Sequence, residues 1–229
     1  MNAVAGGGSF VSFPALVLAG LPAVVANASS TVALFPGGVT SAWALQGDLG
    51  PVGHVRFRTL LAVSAIGGLL GAILLLTTSA RAFDAVLPWL LLLATVVYAA
   101  GPQFRRLAGL AEASNGVVLA VQFVVALYAG YFGGAAGILM MAGWALLTTT
   151  RLSVLNPARS VCINAANATA IMCFVASGRI AWPATLATMA GAVAGGYLGA
   201  RVARAVRPQV LRVATIALSA LVTAAFFIR

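Results

Sequence analysis

The hexapeptide Gly67-Gly68-Leu69-Leu70-Gly71-Ala72 returns 128 residues later as Gly195-Gly196-Tyr197-Leu198-Gly199-Ala200. Each copy sits in a long apolar run, and each follows a glycine-rich apolar stretch and then a segment carrying Asn, Ser or Thr. This order points to a duplicated half-length unit, and glycine-interrupted apolar repeats are typical of membrane carriers. Gly67 and Gly71, like Gly195 and Gly199, lie four apart and give small faces suited to close helix packing.

Only 7% of the 229 residues are charged and 62% are hydrophobic, whereas a water-soluble domain carries about 25% charged residues. No ordinary soluble surface can be built from this chain. The expected fold class is an all-α integral membrane protein whose partner is the lipid bilayer. The net charge of +10 rests on thirteen arginines, with no lysine, against Asp48, Asp84 and Glu112. In a soluble protein that balance would suggest nucleic acid. Here the arginines flank apolar segments and read as topogenic signals, so no nucleic-acid partner is expected. No positive region precedes the first apolar stretch, so no cleavable signal peptide is expected.

Apolar runs fall near 3–20, 22–46, 57–78, 83–101, 115–150, 157–177, 182–203 and 208–228. Most can cross a hydrocarbon core of about 30 Å, which predicts about seven to eight transmembrane segments. The fifth is too long for one crossing. It contains Gly133-Gly134-Ala135-Ala136-Gly137, a helix-weakening cluster like Gly6-Gly7-Gly8 in the first. The glycines expected to break these two segments are Gly6, Gly7, Gly8, Gly133, Gly134 and Gly137. The chain divides into membrane repeats at 1–106 and 107–229 within one integral domain.

Arginine placement bears on orientation. If all eight segments cross, the arginines split seven against six. If the first and fifth add no net crossing, Arg56, Arg58, Arg105, Arg106, Arg151, Arg159, Arg201, Arg204, Arg207 and Arg212 share one side. Only Arg81, Arg179 and Arg229 then remain opposite. The positive-inside rule favours this second arrangement, in which each repeat crosses an odd number of times and the repeats are inverted. Irregular backbone at membrane depth must be buried or line a cavity, so the glycine clusters predict a cavity between the repeats.

Asn156-Pro157 reads as an N-cap followed by proline at the first helical position of the sixth segment. Ser160, Asn164 and Asn167 follow at spacings of four and three, on one stripe. With Arg159 in the first turn and the positive end of the helix, this stripe of donors suits an oxyanion. The first half offers Asn27, Ser29, Ser30 and Thr31 after Pro22, ahead of Pro36-Gly37-Gly38, where a bend is expected. Two such helix starts facing each other would bind a small anion. The alternative is that these side chains only hydrogen-bond neighbouring helices and that Arg159 is an interfacial topogenic charge.

Other chemistries lack their residues. Cys162 and Cys173 lie eleven residues apart on one predicted helix, separated by about 16 Å of rise, too far for a disulfide. They read first as small packing residues. His54 stands in a loop and makes no metal set with them. Asp48, Asp84 and Glu112 fall at segment ends, so no helix interior offers the carboxylate that proton and sodium pumps use. No catalytic residue, metal or cofactor is expected, and any proton coupling would travel on the substrate.

Ala5-Gly6-Gly7-Gly8-Ser9-Phe10, Phe13-Pro14-Ala15-Leu16, Gly20-Leu21-Pro22 and Ala26-Asn27-Ala28-Ser29-Ser30 together resemble the first repeat of the sulfite exporter TauE/SafE family, also called the toluene sulfonate uptake permeases. Gly130-Tyr131-Phe132-Gly133-Gly134-Ala135-Ala136-Gly137, Gly178-Arg179-Ile180-Ala181-Trp182-Pro183 and the second hexapeptide resemble its second repeat. The resemblance implies a multi-pass inner-membrane permease for small sulfur-containing oxyanions such as sulfite, thiosulfate or organosulfonates. Two features depart from it. Members carry more apolar sequence before the first glycine cluster, so the start is either truncated or half a helix. Ala142-Gly143 stands where the first repeat has Phe13-Pro14, and Ser160 to Cys162 fill the second polar slot, which adds Cys162 to the candidate substrate-binding residues. The competing reading is a polytopic channel or scaffold that moves no sulfur anion. Direction of transport and oligomeric state are left open by the sequence.

Overall fold

The computed structural model describes residues 8–44, 49–106, 112–205 and 208–228. Among them the chain is helical throughout, apart from turns and one isolated bridge between Val52 and Val55. In chain order the helices are α1 (Ser9–Leu18), α2 (Ala23–Ala44), α3 (Phe57–Thr77), α4 (Ala80–Arg106), α5 (Asn115–Tyr131), α6 (Ala136–Leu147), α7 (Leu152–Ala176), α8 (Trp182–Ala205) and α9 (Pro208–Ile228). Among the described residues four stretches are long and apolar enough to cross a membrane: Ala23–Ala44, Phe57–Thr77, Ala80–Ala100 and Ser153–Ala176. At 1.5 Å per residue, even the 21 residues of α3 span about 32 Å.

The long fifth run folds as two helices rather than one. Gly133 (φ +79°) and Ala135 (φ +57°) both adopt left-handed backbone, which ends α5 and restarts the chain as α6. The Ala113 N–H just before α5 donates to the Leu147 carbonyl that ends α6, at 2.9 Å. The two outer ends therefore meet, and α5–α6 is a hairpin. At the same end of the bundle the Gly53 N–H donates to Thr150 Oγ1 at 2.8 Å, and Thr149 Oγ1 donates to Glu112 Oε1 at 3.0 Å. At the opposite end Arg179 Nη1 donates to the Leu76 carbonyl at 3.2 Å, and the Ala181 N–H donates to Ser29 Oγ at 3.1 Å.

The sixth run begins earlier than its Asn-Pro signal suggests. α7 starts at Leu152, with Arg151 at the N-cap position and Pro157 inside the helix. An extra turn precedes the proline because Leu155 is buried against Trp144, Val52 and Val55. That packing outweighs the local start signal. α2 likewise runs through Pro36-Gly37-Gly38 as one helix.

α3 lies at the centre. A Cβ on its Gly68 would collide with the Ala166 backbone of α7, and one on Gly71 with the Leu127 carbonyl of α5. From the other side, a Cβ on Gly130 of α5 would strike the Gly68 carbonyl. Lipid gives helices no hydrophobic reason to associate, so this backbone-on-backbone approach, maximising dispersion contact, is what small residues contribute. Polar ties reinforce it: Thr169 Oγ1 donates to the Ala65 carbonyl at 2.8 Å, and Gln122 Nε2 to Ser64 Oγ at 2.6 Å. On the far flank α4 and α9 pair, with the hydroxyls of Thr95 and Thr223 3.3 Å apart.

The two hexapeptides sit in different surroundings. Gly67, Gly68 and Gly71 are buried, whereas Gly195 on α8 is exposed and a Cβ there would meet nothing within 4 Å. We predict that Gly68→Ala lowers the melting temperature sharply, by the equivalent of about 2 kcal/mol or more, as overpacking does. Gly195→Ala should stay within about 0.5 kcal/mol of the parent. Thermal unfolding of the two variants in detergent checks this, and equal effects would refute it.

Candidate functional site

A cavity of about 120 Å³ lies where α1, α2, α6 and α7 converge. A cavity of roughly 150 Å³ accepts benzene, so this one suits a guest of a few heavy atoms. Its walls are assembled from two kinds of element. The first is the starts of the two short helices: Ser9 opens α1, and Ala136 and Gly137 open α6. The second is the middle of the two long ones: Ser30, Thr31, Gly38 and Ser41 from α2, and Arg159, Ser160, Asn164 and Asn167 from α7.

The helix starts that reach the cavity are thus those of α1 and α6, not those of the second and sixth apolar runs. α2 and α7 contribute their bodies. α6 begins directly after the Gly133–Ala135 break, and among the described residues no carbonyl accepts the Gly137 N–H outside the helix. Such an end carries roughly half a positive charge. Arg159 adds a whole one beside it, since a Cβ on Gly137 would lie 3.8 Å from Arg159 Nη1. Among the described residues no carboxylate lines the cavity. The site therefore presents hydroxyls, an amide, a helix start and a guanidinium, a donor-rich set that stabilises negative charge.

The candidate residues separate by what they bond. Asn27 is buried, and its Nδ2 donates to the Tyr131 carbonyl at 2.9 Å, tying α2 to the end of α5. Ser29 is buried as the acceptor for the Ala181 N–H. Neither lines the cavity. Ser30 does, and its hydroxyl pairs with that of Ser12 at 2.6 Å. Thr31 lines it too, with its hydroxyl donated to the Asn27 carbonyl at 3.0 Å. Asn164 Nδ2 donates to the Gly38 carbonyl at 3.0 Å and to the Ser160 carbonyl at 2.8 Å. Its amide bridges α7 to α2, and Gly38 admits it, because a Cβ there would stand 2.5 Å from Asn164 Oδ1.

Asn167 differs from these. It lines the cavity and makes no hydrogen bond among the described residues, with Oδ1 buried and unpartnered. Cys162 is fully buried among Val118, Met140, Trp144 and Leu155, away from the cavity. Gly133 and Gly137 line the cavity, while Gly134 packs against the Phe132 ring. Gly8 stands at the N-cap of α1; Gly6 and Gly7 lie outside the described residues. The sequence reading missed Ser9, Ser41 and Phe132. Ser9 and Phe132 flank the glycine clusters, and that adjacency was the available signal.

These bonding patterns separate an asparagine that ties helices together from one that makes no hydrogen bond among the described residues. Asn164→Leu should destabilise the protein by about 1 kcal/mol, in the range of interhelical hydrogen bonds in bilayers. Asn167→Leu should leave the melting temperature unchanged or raise it, since it relieves an unpartnered buried oxygen. Thermal denaturation of the two variants distinguishes them, and a larger loss for Asn167→Leu would contradict the assignment.

The chain matches the model of the family described as sulfite exporter TauE/SafE over residues 1–226. It is 24% identical over 231 aligned residues to a "Probable membrane transporter protein" of Haemophilus influenzae, covering 98% of this chain and 88% of that one. It is 26% identical over 220 residues to "Probable membrane transporter protein ORF9" of a Sinorhizobium species, covering 93% and 81%. "Probable membrane transporter protein YfcA" of Escherichia coli K12 is 22% identical over 231 residues, covering 98% and 83%. No solved structure matches significantly. With a family match along almost its whole length, the chain, whose donor-rich cavity lies at a helix break, belongs to the sulfite exporter TauE/SafE family of membrane transporters.

Proposed function

We propose that the protein is an inner-membrane permease for small sulfur-containing oxyanions such as sulfite, thiosulfate or organosulfonates. The substrate sits against Arg159, the start of α6, Ser160 and Asn167, with Ser30 and Thr31 opposite. The observation that carries this reading is the convergence of Arg159 and the α6 start on one cavity. An anion leaving water for a membrane interior needs its lost hydration replaced by oriented donors, and these groups supply it. Among the described residues the cavity wall holds no acidic group, and in this reading protons that accompany transport travel on the substrate.

In this reading residues 1–106 and 107–229 are inverted repeats, and rocking of one against the other exposes the cavity alternately to each face. The hairpin of α5 and α6 supports it, because a hairpin adds no net crossing. The contacts of Gly53 with Thr150 and of Glu112 with Thr149 also support it. They join loops that would lie on opposite faces if every run crossed, and on the same face if the first and fifth do not. That shared face is the arginine-rich one, which the positive-inside rule assigns to the cytoplasm.

Two measurements test the proposal. Purified protein in liposomes should carry sulfite or thiosulfate down an imposed gradient. Arg159→Gln should weaken binding by about tenfold to a hundredfold, the scale of one charge-assisted hydrogen bond. Saturable flux that survives this substitution intact would remove Arg159 from the site. For topology, single cysteines at His54 and Thr149 should react with an impermeant thiol reagent from one face, and those at Thr78 and Arg179 from the other. Labelling of His54 and Thr149 from opposite faces would overturn the inverted arrangement.

A further inference from the structure

We propose that Phe13 and Phe132 form the gate between the substrate cavity and a second cavity that serves as its vestibule on the opposite face. This rests on the transporter reading above. The second cavity, of about 420 Å³, is lined by the α1–α2 turn at Gly20, Leu21 and Pro22, by Asp84 and Leu87 of α4, and by Phe226 of α9. Asp84, Gly20 and Pro22 are exposed, so this space opens at the end of the bundle that holds Arg179 and Leu76. The substrate cavity opens the other way. Its deep wall at Ser30, Phe132 and Ala136 is buried, while Phe35, Gly38 and Ser41 near the far end of α2 are only half-buried.

A stack of rings separates the two spaces. Phe132 lines the substrate cavity and Phe226 lines the vestibule, and Phe13 touches both, each with ring centroids 5.9 Å apart. Phe13 is 1% exposed and Phe132 4%, so water is excluded from the contact. An apolar constriction of this kind stops ions by dewetting. The partition draws on both halves of the chain: Phe13 rides on α1, Phe132 sits at the break between α5 and α6, and Phe226 ends α9.

The joint that would open it is also present. α1 is ten residues long and turns into α2 at Gly20, whose φ of +92° has open space around it. Near the cavity it is held by the Ser12–Ser30 hydroxyl pair. A swing of α1 about Gly20 parts Phe13 from Phe132 and breaks that one hydrogen bond.

Accessibility tests this without reference to the substrate. In a background with Cys162 and Cys173 replaced by alanine, Leu34→Cys reports on the substrate cavity and Leu21→Cys on the vestibule. An impermeant thiol reagent is applied to right-side-out and inside-out vesicles. Leu21→Cys should react from the vestibule face. Leu34→Cys should react about tenfold or more faster from the arginine-rich face, a difference that Phe13→Ala abolishes by admitting the reagent from the vestibule. Phe13→Leu and Phe132→Ala serve as milder openings if Phe13→Ala does not fold. The gate is refuted if Leu34→Cys reacts equally from both faces in the parent, or if folded variants leave its sidedness unchanged. Loss of sulfur-anion flux with sidedness intact would count against the substrate assignment alone.

Discussion

Three helix backbones meet at Gly68, and the placing of the cavity depends on that contact. α3 presents its bare Cα to Ala166 of α7 and its carbonyl to Gly130 of α5. Because both partners lie against the same helical turn, α5 and α7 are brought side by side, with Ala126, Ala129, Ala136 and Ala166 forming a small-residue cluster between them. The break that follows Gly130 is thereby delivered to the polar stripe of α7. A bulkier residue at Gly68 would separate the α6 start from Arg159 by separating the helices that carry them. The packing glycines and the polar groups of the cavity are thus one construction, although none of Gly67, Gly68 or Gly71 lines the cavity.

Within that construction, side chains of one type take different roles. Asn27, Asn164 and Asn167 are the same residue in similar polar stretches, yet two are tethers between helices and one has no protein partner. In a bilayer interior an amide must find partners or leave costly unpaired groups. Asn27 and Asn164 find backbone carbonyls at Tyr131 and Gly38 because irregular or glycine backbone lies beside them. Asn167 has no such neighbour among the described residues, and its amide is left in the cavity wall with Oδ1 unpartnered.

Much of the architecture was legible in the residues. The fifth run was too long to cross once, and its glycines marked where the chain turns back; the length of α3 and its flanking Arg56 and Arg58 marked a span. The start of α7 was not legible from Asn156-Pro157, because Leu155 gains more by burial against Trp144 than the proline costs one turn into the helix. Nor could spacing distinguish the roles of Asn164 and Asn167, since both lie on one stripe and the difference lies in α2. The rings of Phe13, Phe132 and Phe226 come from widely separated segments, so only the packed structure places them in one stack.

Thr95 and Thr223 are 128 residues apart, the same interval as the two hexapeptides, and their hydroxyls touch. The carbonyl four residues back, of Leu91 or of Ser219, is the other acceptor within reach of each hydroxyl, which has one proton to give. A hydroxyl is self-complementary: it can donate to its own kind or accept from it, which an ammonium or a carboxylate cannot do. A meeting of two hydroxyls therefore has no fixed polarity, and α4 and α9 are joined through polar side chains with no charge placed at the contact.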